Sequence, residues 1–425
     1  MRVHRWRACP GTVLTAPNGT SRERPVVIAG AGIAGLTSAI ALARTGLRPV
    51  VLERANKACE LGAGLQLSPN AVRCLERLGL GPRLTRIAVT PRALEVMDAA
   101  AGRRLARMPL GEACEARYGA AYLLVSRTGL HRLVTDEALN AGADIRYSSG
   151  LEACVVRGSG VIVQVAGAAP IGACALIGAD GLWSVARGAL AGTMRPRRTP
   201  WTAWRATLAP GTPALGGLPR DGARVWLAPG LHAVTYPIDA AGSCNVVVVT
   251  EHPTATEGWE NLADGAALRS QAATLAPPLS DLIGAVAAWR SWPLFDSAPD
   301  RAAPAWPDGA LTLVGDAAHP MLPFLAQGAG MAIEDALALA AAMAAAPREP
   351  ARAFRVYEQA RRARVARVVG AARRNGRIFH LRPPFSTARD LVLKALSGEK
   401  MLRRQDWLYA GGPAAPAGRT QAGTE

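Results

Sequence analysis

The sequence predicts a mixed α/β fold in which an antiparallel β-sheet domain is inserted into a domain built on a parallel sheet. A strand–turn–helix pattern near residue 30 and buried-strand patterns near residues 175 and 310 are typical of a parallel sheet covered by helices. Residues 198–250 differ, because short strands rich in Trp, Val and Tyr alternate there with Gly and Pro clusters. A chain of 425 residues is long enough for two or three such units.

The parallel sheet begins with one βαβ unit. Residues 26–29 form a short apolar strand, residues 36–44 have a helical apolar pattern that ends before Gly46, and residues 48–53 form a second apolar strand. The same patterns predict the later elements, which are helices over 70–78, 126–139, 328–346 and 351–370, and strands within 145–165 and over 173–177, 246–250 and 310–314. The antiparallel domain therefore interrupts a sheet whose strands come from distant parts of the chain.

The turn between the first strand and helix carries three glycines, Gly30, Gly32 and Gly35, in the spacing G-x-G-x-x-G. The first allows a tight turn, the second lets the backbone approach a pyrophosphate, and the third lets helix and strand pack closely. Free N–H groups at the helix N-terminus then favour the phosphate charge. Glu53 ends the next strand, 18 residues after Gly35, where its carboxylate can accept hydrogen bonds from ribose hydroxyls. A bound dinucleotide is therefore predicted on this unit.

Composition excludes several classes of protein. The chain is 50% apolar and its 44 glycines have no period, which excludes disordered and collagen-like chains. No uncharged apolar run is long enough to span a bilayer, and the seven cysteines and six histidines show no metal-ligand spacing. The cysteine pattern predicts a reducing, cytoplasmic setting. Residues 1–24 are predicted to be a disordered extension rather than a signal peptide.

Two further polar motifs follow buried strands far downstream. The first is Gly178-Ala179-Asp180-Gly181, followed by Ser184 and Arg187, and the second is Gly315-Asp316-Ala317-Ala318-His319-Pro320. An Asp next to small residues suits a hydroxyl-rich ligand, because small neighbours let backbone and ligand approach. Each Asp could equally be a turn residue or a helix cap, and the residues alone leave both interpretations open.

Together these motifs resemble those of the FAD-dependent aromatic hydroxylases, the single-component flavin monooxygenases that include p-hydroxybenzoate, salicylate, 3-hydroxybenzoate and 6-hydroxynicotinate hydroxylases. The resemblance runs from about Val26 to His380, with the three motifs in the family's order. Finer matches point to the salicylate and 6-hydroxynicotinate branch, and they are residues 62–70 (GAGLQLSPN), 203–205 (AWR) and 327–336 (QGAGMAIEDA).

The resemblance implies a fold like that of p-hydroxybenzoate hydroxylase. Residues 25–197 and 300–385 would form a Rossmann-like FAD-binding domain, residues 198–299 an inserted antiparallel β-sheet that binds substrate, and residues 386–425 a C-terminal helix and tail. The cofactor-binding positions that it implies are Gly30, Gly32, Ala34, Gly35, Glu53, Arg54, Gly64, Leu65, Arg127, Asp180, Asp316, Gly328 and Ala329.

The resemblance also implies individual roles toward FAD. Glu53 would hold the adenosine ribose, Arg127 would reach the pyrophosphate or the flavin side, and Asp316 would bind the ribityl chain. Asp180 is linked in the family to both FAD and NAD(P)H. The helix that opens at Gly328 would point its N-terminus at the flavin pyrimidine edge, where reduced flavin carries negative charge.

The chemistry that the resemblance implies is hydroxylation of a small aromatic ring. NADH or NADPH reduces FAD, O2 adds to the reduced flavin, and the C4a-hydroperoxide hydroxylates an electron-rich ring. A base that removes a phenolic proton makes the ring more nucleophilic. His232 and Tyr236, four residues apart on a predicted strand, would point into one pocket and are our catalytic candidates, although such residues are also common as half-buried sheet residues.

Five other residues near the predicted pocket have open roles. Pro323 and Phe324 lie where relatives place residues over flavin and substrate. Trp204 and Arg205 are either core and surface residues or pocket residues, in which case Arg205 could hold a substrate carboxylate. For His319 we favour a structural role over that of a base.

Other functions stay open at this point. A same-fold epoxidase, a urate-type hydroxylase or a natural-product tailoring oxygenase would share these motifs, and an NAD-dependent dehydrogenase would share the glycine turn alone. The net charge of +17, with nine arginines and one acid in residues 351–380, would also suit a nucleic-acid- or membrane-binding protein. We favour a solvated helix face, no nucleic-acid partner, and a monomer or homodimer.

Overall fold

A computed structural model describes residues 24–58, 64–191, 196–251, 262–263, 265–296 and 309–412. The extension predicted at residues 1–24 lies, except for Arg24, outside these ranges. So do Gly62 and Ala63 of the finer sequence match, and the last 13 residues of the predicted C-terminal tail, 413–425.

The described part of the chain alternates helices and strands as far as residue 191. In chain order the elements are β1 (Val26–Ala29), α1 (Ile33–Ala43), β2 (Pro49–Leu52), β3 (Gly64–Leu67), α2 (Pro69–Arg77), α3 (Gly81–Ile87), β4 (Ala88–Val89), β5 (Ala93–Asp98), β6 (Arg104–Pro109), α4 (Gly111–Tyr118), β7 (Leu123–Ser126), α5 (Arg127–Asn140), β8 (Asp144–Arg146), β9 (Leu151–Arg157), β10 (Gly160–Val165), β11 (Ile171–Ala173), β12 (Ala175–Gly178) and α6 (Val185–Ala191).

From residue 197 the chain is first mostly strand and then mostly helix. The elements are β13 (Arg197–Leu208), β14 (Gly222–Ala228), β15 (Leu231–Pro237), β16 (Cys244–Glu251), β17 (Leu262–Ala263), α7 (Ala266–Ala272), α8 (Leu279–Ala285), β18 (Trp289–Asp296), β19 (Leu311–Leu313), α9 (Gly328–Ala345), α10 (Pro350–Phe379), α11 (Phe385–Ala395), α12 (Gly398–Arg403) and α13 (Asp406–Tyr409), with 3-10 turns at Pro213–Gly217, Gly315–Ala317 and Pro323–Leu325.

A five-stranded parallel sheet forms the centre of the first domain, in the order β19-β12-β1-β2-β8. The strands β1 and β2 are buried along their whole length, which explains why they are apolar on both faces. Helix α1 packs on this sheet, α9 packs on α1, and α1, α2, α5 and α9 contribute to its largest hydrophobic core. The predicted βαβ unit is confirmed. The strand predicted over 310–314 is confirmed as β19, which joins the same sheet beside β12.

An eight-stranded sheet forms the second layer, in the order β17-β18-β13-β16-β15-β14-β5-β6. Its pairs are antiparallel except β14 with β5, which is parallel. The sheet is larger than the segment 198–299 that the sequence predicts, because β5 and β6 come from a hairpin that we had assigned to the first domain. This pairing joins Gly222 to Ala93, and local patterns carry no information about such distant partners.

The C-terminal third packs the two sheets together. Helix α10 runs beyond the predicted end at residue 370 and stops at Phe379, while α11 and α12 pack on β6. Helix α9 is the one described helix that is long and apolar enough to cross a membrane. However, 67% of its apolar window is buried within the protein, and it contains the buried acids Glu334 and Asp335. Its apolar character therefore follows from its position in the core.

Candidate functional site

The predicted cofactor motifs follow the carboxyl ends of four neighbouring parallel strands. Gly30 follows β1, Glu53 follows β2, Asp180 follows β12 and Asp316 follows β19. Ligands of open α/β sheets bind outside this edge of the sheet. Motifs that lie up to about 290 residues apart in the sequence therefore meet at one edge.

The glycine turn has the geometry that a pyrophosphate needs. Gly30 has a φ of +104°, and a Cβ there would lie 2.5 Å from the Ala179 carbonyl oxygen. A Cβ on Gly35 would lie 1.9 Å from the Gly30 oxygen, so only glycine lets α1 pack so close to the turn. Above Gly32 there is open space, with no atom within 4 Å of a Cβ, and the N-terminus of α1 has no side-chain cap. Its free N–H groups are available to a ligand.

Two side chains hold this turn from opposite sides. The Glu53 carboxylate accepts hydrogen bonds from the Ala31 and Ala55 backbone amides, both at 2.8 Å. The Ala31 carbonyl lies 2.8 Å from His131 Nε2, and since a carbonyl can only accept, the imidazole donates. This role of His131 could not be predicted from the sequence, because His131 lies on α5, 100 residues from the turn. Arg54, next to Glu53, is exposed and packs beside Gly150.

Asp180 binds the N-terminus of α6, whose cap position is occupied by Ser184. Its carboxylate accepts hydrogen bonds from the Ser184 hydroxyl and from the amides of Val185 at 2.7 Å and Ala186 at 3.1 Å. These hydrogen bonds are those of a residue that caps a helix. A role of Asp180 toward FAD or NAD(P)H stays a prediction.

Arg187 connects the second motif to the third. Its guanidinium donates to the carbonyl oxygens of Asp316 at 3.2 Å and Ala317 at 2.9 Å. Gly315, with a φ of +58°, packs so closely on α1 that its Cβ would lie 2.9 Å from the Ala34 Cβ. The Asp316 turn is therefore fixed against the glycine-turn helix.

The Asp316 side chain faces a solvent-accessible space that protein surrounds. Burial raises its pKa, while His319, Arg127 and Arg187 oppose the rise. Its Oδ1 lies 4.0 Å from the Cβ position of Gly328, the first residue of α9, followed by Ala329. Helix α9 has no side-chain cap, so its first N–H groups are open to a ligand beside Asp316.

Strand β3 brings the cofactor edge against the large sheet. The Gly64 amide donates to Asn245 Oδ1 at 2.9 Å, and a Cβ on Gly64 would lie 2.5 Å from the Tyr236 ring. Leu65, the next residue, is half-buried and pairs with Val125 of β7. Gly64 therefore permits the contact between cofactor edge and Tyr236 that any larger residue would block.

The structure places His232 and Tyr236 on one face of β15, as the four-residue spacing predicts. The His232 ring lies 5.2 Å from the Phe324 ring and 5.3 Å from Phe379, between ring centroids. Burial, with a smaller contribution from His380, lowers the pKa of His232 well below its ordinary value, so the ring is neutral at pH 7.

Tyr236 is also buried, and burial raises its pKa above its ordinary value. Arg205 and a side-chain hydrogen bond with Gln66 partly oppose this shift. The phenol is therefore protonated and uncharged at neutral pH, and it can donate or accept a hydrogen bond.

Trp204 and Arg205, which the sequence groups as pocket candidates, point to opposite faces of β13. The Trp204 indole donates to Thr250 Oγ1 at 3.0 Å and packs in the far-side core with Trp226 and Trp289. The pocket assignment of Trp204 is therefore wrong, because adjacent strand residues alternate between faces. Arg205 shares the face of His232 and Tyr236.

Arg205 is half-buried, and the base of its guanidinium is covered by protein. Its carbon Cζ lies 5.0 Å from the Trp292 ring centroid, and its Nε is buried without a hydrogen-bond partner among the described residues. Burial lowers its pKa, Tyr236 opposes the shift, and Arg127 adds to it. Arg127, at the start of α5, thus acts electrostatically on both Asp316 and Arg205.

Pro323 and Phe324 form a 3-10 turn at the edge of the same face. Phe324 is buried in a small hydrophobic cluster with Ala203, Val249, Trp292 and Leu322. A Cβ on Gly376 of α10 would lie 2.5 Å from the Phe324 ring. Glycine at this position therefore lets α10 pack directly against the turn.

A buried polar network behind the site was not found from the sequence. Asp335 accepts from Arg361 Nε at 2.7 Å and lies 2.6 Å from His319 Nε2, while Glu334 accepts from Arg361 and Arg364 at 2.6 Å. Burial opposes ionisation of Asp335, but His319 and Arg361 hold its pKa below the ordinary value. The adjacent acids Glu334 and Asp335 within an apolar helix were the available signal.

This network agrees with a structural role for His319, and it modifies our prediction for the basic segment 351–380. Arg361 is buried and Arg364 half-buried, so these two cations neutralise internal acids and do not face solvent. The predicted solvated face applies only to other arginines of α10, such as Arg362 and Arg374.

Comparison with known proteins agrees with this geometry. Residues 23–372 match the family described as FAD binding domain. The 3-amino-4-hydroxybenzoate 2-monooxygenase PtnB3 of Streptomyces platensis is 38% identical over 94% of this chain and 98% of its own. The 3-hydroxybenzoate 6-hydroxylase of Polaromonas naphthalenivorans is 34% identical over 91% and 96%. A crystal structure of a variant of HpxO from Klebsiella pneumoniae, complexed with FAD, superposes with a TM-score of 0.80 at 26% identity, covering 92% of this chain and 99% of that one.

The residues of the site fit the cofactor of this family. The open space over Gly32 and the uncapped N-terminus of α1 suit a pyrophosphate, and Glu53 lies at the end of β2 where a ribose would be held. The accessible Asp316 carboxylate beside the uncapped N-terminus of α9 suits a hydroxylated chain next to an electron-accepting ring. The chain therefore belongs to the FAD binding domain family and is an NAD(P)H-dependent FAD monooxygenase of the aromatic hydroxylase type.

Proposed function

We propose that the protein hydroxylates a small aromatic ring, benzoate- or pyridine-like, that carries both a hydroxyl and a carboxylate. The observation that supports this most directly is the Arg205 guanidinium, whose Nε is buried without a hydrogen-bond partner among the described residues on the face shared by His232 and Tyr236. A guanidinium that is half-buried, with a buried N–H that has no acceptor, is stabilised when an anion meets it. A substrate carboxylate is the anion that the two named relatives' substrates have in common.

The carboxylate would orient the ring within the pocket. An arginine fork binds a carboxylate through two parallel hydrogen bonds, and its planar geometry fixes the direction of the ring as well as its position. Arg127 adds positive potential to the same region, as its effect on the pKa of Arg205 indicates. We infer that Arg205 determines specificity for acids over their neutral analogues.

The ring hydroxyl would be deprotonated by His232. Its imidazole is neutral at pH 7, so a nitrogen lone pair is available, and a base near the hydroxyl makes the ring carbons more nucleophilic. Tyr236 and Gln66 would orient the hydroxyl through hydrogen bonds. Apolar side chains around His232, mainly Phe324 and Phe379, would keep water away from the reacting ring.

The cofactor would be held by the glycine turn, Glu53, Arg127, Asp316 and the first turn of α9. Bound FAD supplies the redox chemistry, which takes electrons from NADH or NADPH and activates O2. The protein's own contribution is to bind, to orient the ring and to move its proton.

The test compares acids with their own amides. We would measure O2-dependent NAD(P)H oxidation and product mass for 3-hydroxybenzoate, 3-amino-4-hydroxybenzoate and 6-hydroxynicotinate beside the three matched carboxamides. The preferred acid should have a kcat/KM about 10- to 100-fold above its amide, as expected for charge-assisted hydrogen bonds. Arg205→Gln should remove this ratio, and Arg205→Lys should keep part of it. Amides that react as well as the acids would overturn the proposal.

We also infer a cytoplasmic monomer or homodimer. The five described cysteines, Cys74, Cys114, Cys154, Cys174 and Cys244, are unpaired, which suits a reducing compartment. Light scattering on the purified FAD-loaded protein would determine the oligomeric state, and a mass above that of a dimer would contradict the inference.

A further inference from the structure

We propose that His380 is a positioning residue that fixes the proton of His232 on Nδ1 and so leaves His232 Nε2 as the acceptor for the substrate hydroxyl proton. The inference rests on the proposed function, in which His232 is the base. His380 follows the last residue of α10 and lies 148 residues from His232 in the sequence.

The proton positions follow from one carbonyl group. His380 Nδ1 lies 2.8 Å from the Gly376 carbonyl oxygen, which can only accept, so Nδ1 of His380 carries a proton. In a neutral ring the other nitrogen, Nε2, is then an acceptor. It lies 2.9 Å from His232 Nδ1, which must therefore donate. In neutral His232 the lone pair is left on Nε2.

This arrangement of protons exists only while both rings are neutral, and the surroundings of the two rings favour the neutral form. Burial lowers the pKa of His380 to about 4; the hydrogen bond to the Gly376 carbonyl, then Glu251 and the Val249 backbone, oppose the shift, and Arg389 adds to it. Burial and His380 itself lower the pKa of His232. Two neutral imidazoles hold two N–H protons, one for each of the two hydrogen bonds.

The rings around this pair leave it little freedom. The Trp201 ring stacks on His380 with centroids 3.9 Å apart and planes at 22°. Arg389 donates to the carbonyl oxygens of Ile378 at 3.1 Å and Phe379 at 3.0 Å, which fixes the end of α10. A hydrogen-bond acceptor held this firmly can select one tautomer of its partner.

The selected tautomer matters because the other one is not a base at Nε2. An Nε2–H would meet the substrate hydroxyl with a donor and could not remove its proton. General bases contribute roughly 100- to 10,000-fold to a rate. Loss of tautomer control should therefore lower kcat while substrate and FAD binding persist.

The first experiment requires no substrate. The FAD-loaded protein, labelled with 15N at its six histidines, is studied by NMR at pH 7.5, and His232 is identified by comparison with His232→Gln. The expected spectrum shows His232 protonated at Nδ1 and unprotonated at Nε2, and in His380→Phe this pattern changes to Nε2–H or a mixture. An Nε2–H tautomer in the unsubstituted protein would overturn the proposal.

The second experiment measures turnover with the preferred acid. His380→Phe keeps a ring for Trp201 but has no acceptor, and its kcat should fall about 100-fold with little change in KM. His380→Gln offers an amide oxygen in place of Nε2 and should stay within about fivefold of the unsubstituted enzyme. Ile378→Val, at an exposed side chain of α10 two positions before His380, is the matched control.

The outcomes separate this inference from the proposed function. If no acid is hydroxylated by the unsubstituted enzyme, the proposed function fails, while the NMR result still decides the tautomer. If His380→Phe keeps a normal kcat, or if His380→Gln and His380→Leu are equally impaired, His380 does not act through its acceptor nitrogen and the inference is wrong. His380→Leu also serves in place of His380→Phe if the latter does not fold.

Discussion

His232 and Tyr236 show how two side chains four residues apart acquire different roles from their surroundings. Both are buried on the same face of β15, yet burial removes the charge from one and keeps the proton on the other. We expect His232→Ala and Tyr236→Phe each to retain the yellow colour of bound FAD, because neither residue belongs to the glycine turn or the Asp316 turn. Each should lower kcat at least about 100-fold, because the ring hydroxyl loses its base or its orienting partner.

The readouts for this pair are the visible absorption spectrum and product formation. Thr235→Ser is the matched control, since Thr235 lies on the opposite face and accepts a hydrogen bond from the Trp226 indole at 3.1 Å. Unchanged product formation in both His232→Ala and Tyr236→Phe would remove these residues from the mechanism.

For individual residues of the site, the sequence predicts which side chains share a face of a strand but not which face lines the pocket. The shared face of His232 and Tyr236 follows from strand alternation alone, and so does the separation of Trp204 from Arg205. Which of the two faces the pocket could not be read from the sequence, since it depends on what packs on each side of the sheet. His380 and His131 were missed because their partners lie 148 and 100 residues away.

At the scale of elements, helices α9 and α10 are joined by buried charge. Arg361 pairs with both Glu334 and Asp335, and its side chain is only 6% exposed. We expect Arg361→Leu to lower the free energy of unfolding by about 3–5 kcal/mol, because two buried carboxylates lose a partner. Arg362→Leu, one position after Arg361, removes an exposed ion pair with Glu358. It should lower the free energy of unfolding by less than about 1 kcal/mol.

Urea unfolding of the two FAD-loaded variants under identical conditions measures this difference. Equal stability of Arg361→Leu and Arg362→Leu would mean that Arg364 alone can neutralise both acids, and the network would then be less cooperative than its geometry indicates. Retained FAD absorbance in both variants would show that any loss is one of stability and not of cofactor contacts.

Elements also differ in how well local sequence predicts them. The βαβ unit was located to within three residues, because its strands, glycine turn and helix are adjacent in the chain. The end of α10 was placed nine residues too early, since Gly370 and Gly376 weaken a helical pattern that tertiary packing completes. The hairpin β5–β6 was not predicted, because residues 93–109 carry no local sign of their distant partner β14.

For the whole molecule, the buried histidines make stability depend on pH. The pKa of His380 is about 4 in the folded protein against an ordinary 6.5, so between these values the unfolded chain binds more protons. This contribution to stability is complete above pH 6.5 and is lost as pH falls toward 4, by roughly 3 kcal/mol in total. His232 acts in the same direction, whereas His319, whose pKa is raised because Asp335 outweighs burial, acts in the opposite one.

Urea unfolding at pH 4.5, 5.5 and 7.5 tests this account. The stability difference between the unsubstituted protein and His380→Gln should change with pH in favour of the glutamine variant as the solution becomes more acidic. A difference that stays constant over this range would mean that folding does not shift the pKa of His380, and would contradict this account.

The position of His380 at the far end of a 30-residue helix has a consequence for biosynthesis. Gly30 leaves the ribosome 350 residues before His380, which at typical elongation rates is an interval on the order of 20–70 s. A nascent chain can thus complete its nucleotide-binding turn early, but the imidazole pair forms only after nearly all of the polypeptide has emerged. In the mechanism that we propose, oxygen chemistry on an aromatic ring would thereby be confined to finished molecules.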